Sequence, residues 1–173
     1  MSVPEGPPLT EDQKQVIAQN QATLLLDEAA KMREFRPPGE TAGPPDVYSA
    51  LVFARGKLDR LEAVLVSVIA LRDAAQVEAR KLEQVADDAW DDLANQARTS
   101  GSRYEYEGAQ ERYATWRYKV RGRREAARAA RNRADVLASA EKSVQVMYRG
   151  LDSSRLDLHR RLSALTVMRS NEL

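Results

Sequence analysis

The sequence predicts an all-α protein: a long antiparallel helical hairpin, coiled-coil-like, preceded by a short N-terminal helix. Apolar residues from Val47 to Leu93 recur at alternating spacings of four and three through seven heptads. The pairs are Val47/Leu51, Ala54/Leu58, Leu61/Leu65, Val68/Arg72, Ala75/Ala79, Leu82/Ala86 and Ala89/Leu93, with Arg72 the single breach and no proline inside. A break at Thr99-Ser100-Gly101 follows, and the same period resumes from Tyr106 to Leu165. No stretch carries a convincing strand pattern.

In chain order, residues 1–9 are proline-rich and aperiodic, which reads as a flexible tail. Thr10 and Gln13 have capping-box spacing, and Glu11 and Asp12 suit the positive end of a helix dipole. The segment 10–36 is therefore an N-terminal helix, expected to run to Glu34 and to turn Val16, Ile17, Leu24, Leu25, Ala29 and Met32 roughly to one side. Pro37 to Pro45 form a semi-rigid linker. Residues 46–173 form the hairpin module. Asp46 is the expected N-cap of its first helix, which should reach about Arg98 and span about 80 Å at 1.5 Å per residue. Ser102 and Glu105 make a second capping box. The second helix carries Tyr106, Ala109, Tyr113, Trp116, Val120, Ala127, Ala130, Ala134, Leu137, Val144, Tyr148, Leu151, Leu158, Leu162 and Leu165 in its seam, with Arg123, Glu141 and Arg155 as departures. Gly122 and Gly150 are weak points, each costing about 1 kcal/mol against alanine. Folding the chain at Gly101 sets Ala75 against Ala127 and Ala79 against Arg123, which leaves limited apolar area and favours self-association or packing by the N-terminal helix.

Composition narrows the functional classes. Apolar residues make up 43% of the 173 and charged residues 31%, the mix of a helical protein rich in surface charge. There is no cysteine, which excludes disulfides and thiolate metal sites and fits a reducing compartment. The longest uncharged apolar run, Ala63 to Leu71, is nine residues, too short for a bilayer. Without a basic start and apolar core at the N-terminus, a cytoplasmic protein with no membrane association is the expectation. The net charge of +1 conceals blocks of −3 over 1–45, −3 over 46–100 and +7 over 101–173. Such asymmetry points to an anionic partner of the C-terminal half, or to pairing between halves or subunits.

The sharpest local feature is Tyr113 to Arg133. Arg117, Arg121, Arg124, Arg128 and Arg131 repeat at four, three, four, three and place five guanidiniums in a row. Lys119, Arg123 and Arg133 add to them, and Glu125 is the only acid in 117–133, whose net charge is +7. The opposing helix offers Asp73, Glu78 and Glu83 but also Arg72, Arg80 and Lys81, so it is not expected to neutralise the row. Guanidiniums along a rigid helix bind successive phosphates, and counterion release gives affinity without sequence preference. Tyr113, Trp116 and Tyr118 beside them suit base stacking, which favours single strands. The competing reading makes Tyr113 and Trp116 seam residues and the row a solvated or subunit-pairing face.

Asp87, Asp88, Asp91 and Asp92 have a spacing able to hold Mg²⁺ and a diphosphate, superficially like the aspartate-rich motif of all-helical prenyl diphosphate synthases. That family requires a second such motif and a larger helical cavity, neither evident here. The cluster reads better as the complement of Arg112 and Arg117, or of a neighbouring subunit's arginine row. His159 is the only histidine and has no nucleophile or orienting acid arranged around it. No phosphate loop follows a strand. No enzyme activity, cofactor or metal site is expected.

A long helix ending in TSGSRYEYEG, then a basic helix, then the amphipathic VQVMYRGLDSSRLDLHRRL, resembles the small recombination mediators of T4-type bacteriophages over residues 47–165. The resemblance implies a helical hairpin that assembles into rings, binds single-stranded DNA and helps load a recombinase, with the arginine row as the DNA surface. The expectation is thus a non-enzymatic homo-oligomeric accessory that binds single-stranded nucleic acid. Its alternative is a structural scaffold or adaptor whose charges serve subunit contacts.

Overall fold

The computed structural model describes residues 8–99 and 103–171, with side chains placed except at 93, 96–99, 103–113, 115, 116, 119 and 169–171. It is all-α: α1 spans Glu11–Arg33, α2 Pro44–Thr99 and α3 Arg103–Asn171. The expected break at Ser100-Gly101 and the Ser102–Glu105 capping box lie outside the described residues.

Local chemistry accounts for the helix starts. Thr10 N–H donates to Gln13 Oε1 at 2.9 Å and Gln13 N–H to Thr10 Oγ1 at 3.2 Å, the reciprocal bonds of a capping box. Lys14 N–H then donates to the Thr10 carbonyl at 3.0 Å, the first bond of α1. The second helix begins two residues before the expected Asp46 cap. Pro44 and Pro45 fill its first turn, where the N–H that proline lacks has no helical partner to lose. Val47 N–H closes that turn on the Gly43 carbonyl at 3.1 Å. The third helix runs unbroken in hydrogen bonding through Gly122 and Gly150.

The chain forms two compact units, and every helix contributes to both. The first takes the segment up to Gln19 together with Leu71–Val136. Its buried apolar side chains, among the described residues, are Ala18, Ala75, Ala79, Ala86, Ala89, Val120, Ala127, Ala130 and Ala134. Small side chains allow close helix approach but bury little apolar area. Contacts between α2 and α3 here run in opposite senses, Glu78 with Arg133 and Glu83 with Arg131 at one end, Trp90 with Arg124 at the other. Folding the chain at Gly101 set Arg123 against Ala79. Its guanidinium reaches the Val85 carbonyl at 3.4 Å, further along α2. Both helices lean their side chains towards their own N-termini, so long side chains in an antiparallel pair meet beyond their backbone levels. The breach at Arg72 is absorbed locally, because Nε and Nη2 both bond Asp73 Oδ1, at 3.0 and 2.7 Å.

The second unit takes Asn20–Ala70 and the chain from Leu137 on, and its core is larger-grained. Val47, Leu58, Leu61, Val64, Val68, Leu137, Val144, Leu151 and Leu158 are buried with Ala22, Ala29, Ala54 and Ala140. Each buried valine or leucine is worth about 1.5–3 kcal/mol. Two basic side chains secure the chain at the end of α1. Lys57 Nζ donates to the Glu34 carbonyl at 2.7 Å and sits 4.9 Å from the Phe53 ring centroid. The Arg161 guanidinium donates to the carbonyls of Pro38, Gly39 and Glu40 in the linker. Orphan carbonyls past a helix end are satisfied in this way.

The inward face of α1 differs from expectation. Val16, Ile17 and Leu24 are exposed, whereas Ala18, Ala22 and Ala29 are buried and Leu25 and Met32 half-buried. Half-buried Glu11 and Gln15 continue that stripe towards the N-terminus at the same alternation of four and three. Hydrophobicity alone points to the larger aliphatics, but the narrow alanine face is the one that fits.

Candidate nucleic-acid interface

The arginine row sits on the first-unit portion of α3. Arg117, Arg121, Arg124, Arg128 and Arg131 are all exposed, and their spacing places them along one side of the helix. Tyr118 is 80% exposed. The side chains of Tyr113, Trp116 and Lys119 lie outside the described residues, as does Arg112, the expected partner of the aspartates.

Several of these guanidiniums already have partners in the same chain. Arg121 Nε lies 3.0 Å from Glu125 Oε1, a well-solvated pair one helical turn apart. Exposed pairs of this kind contribute about 0–1 kcal/mol and yield readily to a competing anion. Arg131 pairs with Glu83 of α2. The Arg124 guanidinium carbon stands 5.1 Å from the Trp90 ring centroid, within cation–π range.

Arg133 departs furthest from the sequence reading, because it does not join the exposed row. It is 4% exposed and held in a ring of alternating charge drawn from all three helices. Its Nη1 meets Glu11 Oε2 at 2.6 Å, and its Nη2 lies 3.1 Å from Glu78 Oε2 without hydrogen-bond alignment. Lys14 Nζ closes the ring, 2.9 Å from Glu11 Oε1 and 3.0 Å from Glu78 Oε1. Burial pushes both carboxyls up, but the bonds and charges of Arg133 and Lys14 outweigh it and hold them below the ordinary 4.5. Hydrogen bonds to Glu11 and Glu78 lift Lys14 above its ordinary 10.5. Burial lowers Arg133, and the same two acids more than restore it.

The opposing helix therefore neutralises part of the row, contrary to expectation. Arg133 is taken into the neutral ring and Arg131 is matched by Glu83, so this neutralisation falls at the C-terminal end of 117–133. Sequence reasoning also missed Trp90, 39% exposed, which lies between Asp88 and Asp91 in the chain. A signal was present. Glu83 and Trp90 are one heptad apart on α2, as are Arg124 and Arg131 on α3, and each pair meets its counterpart.

Asp87, Asp88, Asp91 and Asp92 are exposed, and among the described residues no three metal-ligating side chains converge. His159 is exposed. A cleft of about 330 Å³ in the second unit is lined by Arg33, Phe35, Val146, Met147, Leu151 and Ser154, with Gly150 at its wall. Among the described residues no helix is long and apolar enough to cross a membrane. Compared with known proteins, the chain matches no family model, no curated protein and no solved structure.

Proposed function

We propose that the protein is a non-enzymatic accessory that binds single-stranded nucleic acid through the exposed face of α3, working as a self-associating antiparallel helical hairpin. The observation that carries this reading is the solvent exposure of Arg117, Arg121, Arg124 and Arg128 at four-three-four spacing, with Glu125 the only acid in their segment. At 1.5 Å of rise per residue, successive guanidiniums stand about 6, 4.5 and 6 Å apart along the axis, suited to a strand running lengthwise. The resemblance to phage recombination mediators supports the same role and adds loading of a recombinase as its biological setting. Titration of a fluorescent single-stranded oligonucleotide at several salt concentrations tests it. Four phosphate contacts give a slope of about −3 in log affinity against log salt. Reversal of Arg121, Arg124 and Arg128 to glutamate abolishes binding. Absence of micromolar binding by the wild type refutes the proposal.

A structural scaffold is the second reading, favoured by the exposed aspartates of α2 in the same unit as the arginines. A second copy would then supply the matching charges. A salt-sensitive oligomer in light scattering, with no nucleic-acid binding, selects it.

A further inference from the structure

We propose that Trp90 is a base-stacking platform and that α2 as well as α3 contributes to the nucleic-acid surface, which makes the ligand a single strand rather than a duplex. The inference rests on the function proposed above and deepens it by adding a second helix and a stacking side chain to the surface. Arg124 and Trp90 lie together in the first unit, guanidinium carbon 5.1 Å from the ring centroid, and both are exposed. A guanidinium resting against a ring keeps its N–H donors for phosphate, so Trp90 pre-organises Arg124 on the phosphate track. The rest of the exposed indole then lies within reach of a base whose phosphate is held by Arg124 or Arg128. Stacking on an aromatic side chain is tolerant of base identity, as a surface without base-reading groups requires.

Charge on α2 sets the strand preference. Asp87, one turn before Trp90, shares its side of the helix, and Asp91 adjoins it, both exposed. A single strand can lay its phosphates on α3 and turn its bases towards Trp90, where uncharged bases meet the carboxylates. A duplex carries a second phosphate backbone across the groove, which those carboxylates repel.

The test uses the full chain and three labelled probes of equal length: oligothymidylate, its abasic counterpart and a duplex. The wild type should bind oligothymidylate about tenfold more tightly than the abasic strand, and the duplex more weakly than the single strand. Trp90→Leu should lose the tenfold preference while keeping the salt slope, because the phosphate contacts remain. Trp90→Tyr, which keeps a stackable ring, should retain it and guards against a folding artefact. If the wild type binds with a salt slope yet shows no preference for bases, or Trp90→Leu retains it, or the duplex binds as tightly, the platform is refuted and the arginine-row reading stands. If the wild type binds none of the probes, both fall.

Discussion

Removing both acids of the Arg133 ring should destabilise the protein more than removing the arginine itself. Arg133 is the buried member at 4% exposure, whereas Glu11 and Glu78 keep 35% and 39% of their side-chain surface in contact with solvent. In Glu11→Met/Glu78→Met the guanidinium loses both carboxylates that it meets, while the other cation of the ring, Lys14, remains. Stripping a buried charge of its partners costs about 3–5 kcal/mol. The lower end applies here, because a long side chain at the edge of an alanine-lined core can partly swing out to water. About 3 kcal/mol corresponds to a fall in melting temperature of roughly 6–12 °C for a chain of this size. Arg133→Met leaves two half-exposed carboxylates that water and Lys14 can still serve, so its cost is about 1–2 kcal/mol. The triple variant Glu11→Met/Glu78→Met/Arg133→Met should regain most of the loss, since an apolar replacement of a buried ionic group is often neutral. Urea denaturation followed by circular dichroism gives the three values. A double variant costing under about 1 kcal/mol, or a triple variant no more stable than the double, would refute the idea that Arg133 is held by its acids.

The same ring has a pH signature. Glu11 and Glu78 titrate below 4.5 when folded, so their contribution is complete above that value and is lost as pH falls through the depressed range. The stability gap between the wild type and Glu11→Met/Glu78→Met should therefore narrow as pH falls below about 4.5, with urea midpoints as the readout. An unchanged gap contradicts the assignment. Lys14, raised above 10.5, acts in the opposite sense: its contribution holds below that value and fades as pH rises through the lifted one. Separately, Gln15 Oε1 is buried without a hydrogen-bond partner, so Gln15→Met should stabilise by about 1 kcal/mol in the same denaturation assay. A loss of stability there would mean the amide contributes through its other atoms.

Patterns confined to one helix were legible in the sequence. The Thr10–Gln13 box follows from four adjacent residues, and the apolar stripe of α2 follows from spacing, with Val47, Ala54, Leu58, Leu61, Val68 and Ala75 buried as the heptads require. Features needing three helices at once were not. Val64 is buried beside the expected seam, as a wider stripe would be when a helix packs against two neighbours rather than one. Arg133 sits two residues from Arg131 and shares its composition, yet it is ionically enclosed while Arg131 is exposed. The arrival of Glu11 from the far end of the chain, together with Glu78 of α2, distinguishes them. Trp90 was hidden for a related reason: among four aspartates it reads as part of an acidic surface, and its cationic neighbour is remote in sequence.

The alanine lining of the first unit carries a cost in positional information. Ala79 and Ala86 are one heptad apart, as are Ala127 and Ala134, so sliding one helix past the other by seven residues again presents methyl to methyl. Knobs this small give shape little power to tell the correct register from its neighbours. The Arg133 ring does tell them apart, because a slid helix would carry Glu78 from Arg133 to an alanine, Ala126 or Ala140, whereas Glu83 could exchange Arg131 for Arg124 one heptad away. Electrostatics thus acts as the index mark for an otherwise smooth slide, and neutral variants of the ring should form helices as before but align them less uniquely.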